Sequence, residues 1–184
     1  MIAGRVPVLG MSTFFVGRER CRLPEGLALA GLMRRLGRVQ ASVSMRAVRG
    51  FVITAQDGGA GPFSEDDVVE VEDYDPVRHS CLAIGKKEPS GDTPVHWMAY
   101  RTDELTRAVA FVWATGKRTG VGYTAQRHPA GSFQEALEIV ALAKRTGAPA
   151  GAEGRGFIVR GGSADELVAS LAETAQAADK GDGK

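Results

Sequence analysis

Three histidines, His79, His96 and His128, are the first residues to weigh for chemistry, because a neutral imidazole serves both proton transfer and metal ligation. No two of them stand at an H-x-H or H-x-x-x-H spacing, so no local motif encodes a catalytic metal. His96 falls on a segment that Thr93 caps and Pro94 opens as a helix, where the plain reading is a histidine bonded to neighbouring backbone. His128, in "AQRHPAG", is loop-borne and reads equally as solvent-facing or functional. Cys21 and Cys81 are too few and too distant in sequence for a disulfide framework or a thiolate metal site, which suits a reducing cytoplasm. "GKKEPSG" lacks the upstream glycine and the hydroxyl residue after lysine that a phosphate-cradling loop needs. "GAEGRGF" is glycine-rich but follows no strand and opens no helix, and no serine sits in a G-x-S-x-G elbow. Carboxylate clusters such as "SEDD" and "VEDYD" read as solvated edges and turn caps.

The elements that would position these groups follow from periodicity. Leu29, Leu32, Met33 and Leu36 make an apolar helical stripe after Pro24, and Gly37 ends it. "VQASVSMR" alternates as a half-buried strand, and "FVIT", "VVEV" and "CLAIG" continue as short strands. The glycine-rich "AQDGGAGPFSEDD" is a loop. After the Thr93 helix, "RAVAFVWATG" is a buried strand. Two further helices begin with capping boxes, Ser132 with Glu135 and Ser163 with Glu166, separated by the strand "GFIVR". The order αββββαβαβα predicts one domain over residues 1–176, α/β or α+β, with a mixed sheet flanked by helices, and a frayed tail over 177–184. A chain of 184 residues, 43% hydrophobic, supports a single core, and a net charge of +1 gives no general attraction to nucleic acid or anionic lipid. The N-terminal "MIAGRVPVLGMSTFFVG" is broken by Arg5, Pro7 and glycines, so neither a signal peptide nor a membrane span is expected there.

One longer pattern adds to this. "RVQASVSMR", "GFVIT", "FSEDDVVEV" and "EPSGDTPVHWMAYRTDELTRAVAFVWA", with "EGRGFIVRGGSADEL" later, resemble the class II aldolase and adducin-head superfamily. The most specific piece is Asp92, Thr93, Pro94, His96, Tyr100 and Arg101. The resemblance implies a mainly antiparallel sheet within the α/β class and a homo-oligomer, often a tetramer. It also implies a divalent ion on three histidines whose positions are here Phe111, Trp113 and Arg155, none able to ligate zinc. The family's proton-moving glutamate corresponds to Asp92, one methylene shorter. Its phosphate cradle corresponds to Ser42, Gln56 with Asp57, and Ser90 with Gly91.

Two expectations follow. In the first, the chain is a divergent, metal-free protein that binds a metabolite or a partner, as adducin heads keep the fold without aldolase chemistry. In the second, it is a metal-independent lyase, isomerase or dehydratase on a small hydroxy-carbonyl or sugar-phosphate substrate. Asp92 and His96 would then move the proton, Arg155 would hold the oxyanion, and Ser42, Gln56 and Ser90 would bind the anion. No cofactor is expected under either. Whether Trp113 fills the pocket or leaves a cleft separates the two.

Overall fold

The computed structural model describes residues 8–37, 40–56 and 63–179. In chain order these form β1 (Ser12–Gly17), α1 (Pro24–Leu36), β2 (Ala41–Arg46), β3 (Phe51–Thr54), β4 (Val68–Asp75), β5 (Ser80–Ile84) and α2 (Thr93–Thr102). They continue with β6 (Ala108–Val112), β7 (Gly122–Tyr123), α3 (Phe133–Thr146), β8 (Ala150–Ala152), β9 (Gly156–Gly161) and α4 (Ala164–Asp179). All nine strands join one sheet in the order β1-β5-β4-β3-β2-β6-β9-β8-β7. Its interior pairs are antiparallel, and only the outer pairs β1·β5 and β7·β8 are parallel. The expected class, a mixed and mainly antiparallel sheet flanked by helices, is the observed one.

Both faces of the sheet are covered. Val95, Met98 and Ala99 of α2 and Ala136, Ile139 and Val140 of α3 pack on one face; Leu29, Leu32 and Met33 of α1 and Leu167 of α4 pack on the other. Strand β6 shows the consequence for sequence. Val109 and Phe111 enter the first core and Ala108 and Ala110 the second, so the strand reads as a continuous apolar run rather than an alternation.

Three strands depart from the sequence expectation. "STFFVG" forms β1 on the edge beside β5, with Ser12 opposite Ser80 and Phe14 opposite Leu82, so the N-terminal segment does add a strand. β7 and β8, of two and three residues, exist only through their pairing with each other and with β9. The helix caps also differ. Asp92, not Thr93, is the N-cap of α2, and the Asp92 side chain makes no cap bond; Thr93 is the first helical residue and its hydroxyl donates to the Ser90 carbonyl at 2.7 Å. Ser132 and Ser163 each accept the N–H three residues on, but Glu135 and Glu166 reach back to the N–H groups of Gly131 and Gly162 rather than closing onto the serines. α4 continues to Asp179.

Candidate functional site

Backbone bonds fix the segment before α2 against the sheet. Ser90 N–H donates to the Thr54 carbonyl at 3.1 Å, Gln56 N–H donates to the Glu88 carbonyl at 2.9 Å, and Ala55 bridges Pro89. These bonds set Asp92 over β2 and β6. Ser42 and Ser44, two apart on β2, share one strand face, while His96 and Tyr100, four apart on α2, share one helix face. The two faces meet as a polar seam inside an otherwise apolar core.

Within the seam, Ser42 Oγ lies 3.0 Å from Asp92 Oδ2 and 2.9 Å from His96 Nε2; Ser44 Oγ lies 2.6 Å from His96 Nδ1 and 2.8 Å from the Tyr100 hydroxyl. An ionised carboxylate only accepts, and burial keeps the His96 imidazole neutral, so Asp92 and His96 together fix the direction of every bond. Ser42 donates to Asp92, His96 Nε2–H donates to Ser42, Ser44 donates to His96 Nδ1, and Tyr100 donates to Ser44. This assigns His96 as the neutral Nε2–H tautomer. Burial pushes the imidazole down to about 4, against the pull of Asp92.

Asp92 is the hub. Its Oδ2 also accepts from Trp113 Nε1 at 2.8 Å and Ser90 Oγ at 3.3 Å, and its Oδ1 accepts from Arg155 Nη2. Burial alone would raise this carboxyl, but the Arg155 guanidinium beside it, with the Trp113 indole N–H, holds it below the usual carboxylate range. Arg155 comes from the hairpin between β8 and β9, so "GAEGRGF" is a turn between strands. Its guanidinium carbon sits 4.7 Å from the centre of the Phe111 ring, a cation–π contact. Gly156 follows at φ 139°, where a side chain would strike the Val112 carbonyl.

A second carboxylate faces the same cation. Glu135 Oε1 lies 3.4 Å from Arg155 Nε, within ion-pair reach but outside hydrogen-bond geometry, and Glu135 Oε2 accepts Gly131 N–H at 2.7 Å. Burial raises its pKa, opposed by Arg155 and by the Gly131 N–H. Asp92, Arg155 and Glu135 are 0, 5 and 3% exposed, which makes this a closed ionic core and not a cleft.

Five of the six residues singled out in the sequence therefore meet: Asp92, His96, Arg155, Ser42 and Ser90. Gln56 stands beside them, its Oε1 accepting Gly91 N–H at 2.7 Å, and lines a cavity of about 250 Å³ with Val8, Met11, Glu88, Pro89 and Gly91. Asp57 lies outside the described residues. His128 is 3.1 Å from Glu138 and the Tyr123 hydroxyl accepts Arg118 N–H, so neither reaches the cluster. Glu135 and Ser44 belong to it without having been expected, while the resemblance names Trp113 as a lost ligand position and Tyr100 as part of the helix signature.

No family model matches the chain, and no curated protein does. Solved structures do match it. An L-fuculose 1-phosphate aldolase superposes with a TM-score of 0.67 at 14% identity, covering 90% of each chain. The N-terminal class II aldolase domain of a conserved protein from Thermoplasma acidophilum gives 0.61 at 11% identity over 89% of this chain and 94% of that one. This chain has the class II aldolase fold. The L-fuculose-1-phosphate aldolase from Thermus thermophilus gives 0.56 at 16% identity, covering 82% of this chain and 89% of that one. At such identities the shared property is the fold, and the sequence is divergent.

The metal that the class II aldolase resemblance implies does not fit the residues present. Its three ligand positions hold a phenyl ring in the core, an indole N–H and a guanidinium, none with a lone pair to give. A fixed cation, Arg155, lies beside the carboxylate instead. Among the described residues no group of three His, Cys, Asp or Glu is gathered as a metal site.

Proposed function

We propose that this chain is a metal-free protein of class II aldolase fold that binds a small polar metabolite without aldol chemistry. The observation that carries this reading is the saturation of Asp92: its carboxylate accepts from Arg155, Trp113, Ser42 and Ser90 in a closed core. A proton-moving carboxylate needs a lone pair turned to substrate and a pKa near the working pH, and Asp92 is held low with its acceptors in use. Arg155, set between two carboxylates, has its charge neutralised internally and is poorly placed to hold an oxyanion. Ser42 and Ser90 turn their hydroxyls to Asp92, which leaves Gln56 and the cavity beside it as the binding surface. The proposal includes a cytoplasmic setting and self-association, the latter to be read from the solution mass by light scattering.

The test is a purification without added metal, followed by elemental analysis, a turnover panel of ketose and aldose phosphates, and native mass spectrometry with the same panel. The expected result is no stoichiometric zinc, no retro-aldol cleavage, and binding of one class of small hydroxy-carbonyl compound that Gln56→Ala weakens. Stoichiometric zinc with chelator-sensitive turnover overturns the proposal. Turnover that ignores chelators and is lost in Asp92→Asn replaces it with a metal-independent lyase or isomerase.

A further inference from the structure

A second cleft, of about 190 Å³, opens farther along α2, walled by the β2–β3 hairpin, β4 and the outer residues of the helix. Its floor is aromatic: Phe51 and Tyr100 pack at a 41° tilt with ring centres 5.3 Å apart, and Trp97 stands beside them. Arg46, at the end of β2, is pinned by donating Nε–H to the Thr106 carbonyl at 2.8 Å and Nη2–H to the carbonyls of Tyr100 at 2.7 Å and Asp103 at 2.8 Å. Its guanidinium carbon lies 4.9 Å from the Tyr100 ring centre, and that of Arg101 lies 5.3 Å from the Trp97 ring centre. Glu72 and Asp73 of β4 complete the wall, with Asp73 accepting Trp97 Nε1–H at 3.1 Å.

The charges here are unmatched. Three exposed arginines elsewhere pair with acids, Arg20 with Asp66, Arg35 with Asp165 and Arg78 with Asp75. In the cleft, Arg46, Arg101, Glu72 and Asp73 form no ion pair with any described residue. The carbonyls that hold Arg46 fix its direction but leave its charge uncompensated. Two cations and two anions that line one small aromatic-floored cleft without pairing suit a ligand that carries one charge of each sign and an apolar remainder.

We propose that this cleft binds a free α-amino acid with an apolar side chain. The carboxylate meets Arg101 and Arg46, the ammonium meets Glu72 and Asp73, and the side chain lies on Trp97. The site is separate from the Gln56 cavity and does not depend on it. Calorimetric titration of the full chain with L-leucine and L-phenylalanine tests it. Saturable binding of at least one is expected. N-acetylation or amidation of that ligand, which removes one charge each, weakens it roughly tenfold or more, as do Arg101→Ala and Glu72→Gln, while Gln56→Ala leaves it unchanged. The proposal is overturned by no saturable binding up to about 10 mM of either amino acid. It is equally overturned if Arg101→Ala and Glu72→Gln both bind as well as the parent chain, or if the blocked ligands bind as well as the free one.

Discussion

The N-cap of α2 and the outer end of that helix carry charge in opposite ways. At Asp92 every charge is out of water and met by a partner; around Arg101 the charges stay near water and none is met by an opposite charge among the described residues. A buried ion must be compensated within the fold, so its partners are not available to a ligand. A charge at the rim costs the fold little when unpaired and remains available. The contrast locates stability at one end of the helix and recognition at the other, although the resemblance alone points to the first end for function.

Breaking the contrast most strongly is Arg155→Ala. It leaves Asp92 and Glu135 buried without a cation, and the expected loss, by urea denaturation, is roughly 3–5 kcal/mol. A loss no larger than that of Arg101→Ala would remove the distinction between the two ends. The next effect is on pH. His96 is held neutral by burial at about 4 against an ordinary 6.5, so the unfolded chain binds its proton first and the folded state loses stability as pH falls from 6.5 to 4. The expected loss over that window is about 3 kcal/mol. Asp92, depressed, adds a loss at the acid end, and Glu135, raised, opposes it by taking up a proton more readily when folded. His96→Gln should flatten the profile in denaturation midpoints at the two pH values; an unchanged slope would mean that another group titrates. Trp113→Phe removes one donor from Asp92 and should cost about 1–2 kcal/mol. Smallest is Arg101→Ala, expected within about 0.5 kcal/mol of the parent chain.

What the sequence disclosed follows the same division between local and distant causes. α1, β2 and β3 were legible because periodicity and the stop at Gly37, which takes φ 66°, are local signals. β1, β7 and β8 were not, because their strand character comes from partners far along the chain and not from a pattern of their own. At the site, the resemblance named Asp92, Arg155, Ser42 and Ser90, and the structure joins them. Glu135 was hidden by a sufficient local explanation: it stands where a capping box places a glutamate, and nothing in its neighbourhood announces Arg155, 20 positions away. Trp113 is legible from the sequence only as a lost ligand position, and its N–H is instead engaged by Asp92. Ser44 and Tyr100 had a signal, the i,i+2 and i,i+4 repeats of Ser42 and His96, which becomes readable only once β2 and α2 are known to face each other.

The parallel pairing of β1 with β5, together with the Leu9 N–H bond of 2.6 Å to the Ala130 carbonyl, has a consequence in time. Residues 9–17 are synthesised before their partners, which lie about residues 80 and 130, so long loops must close before they can dock. Val8 finally rests against Gly91 and Gly131, beside the polar core. Because the loops that its docking closes are long, this segment, which lines the cavity at Gln56, is expected to settle after the sheet behind it.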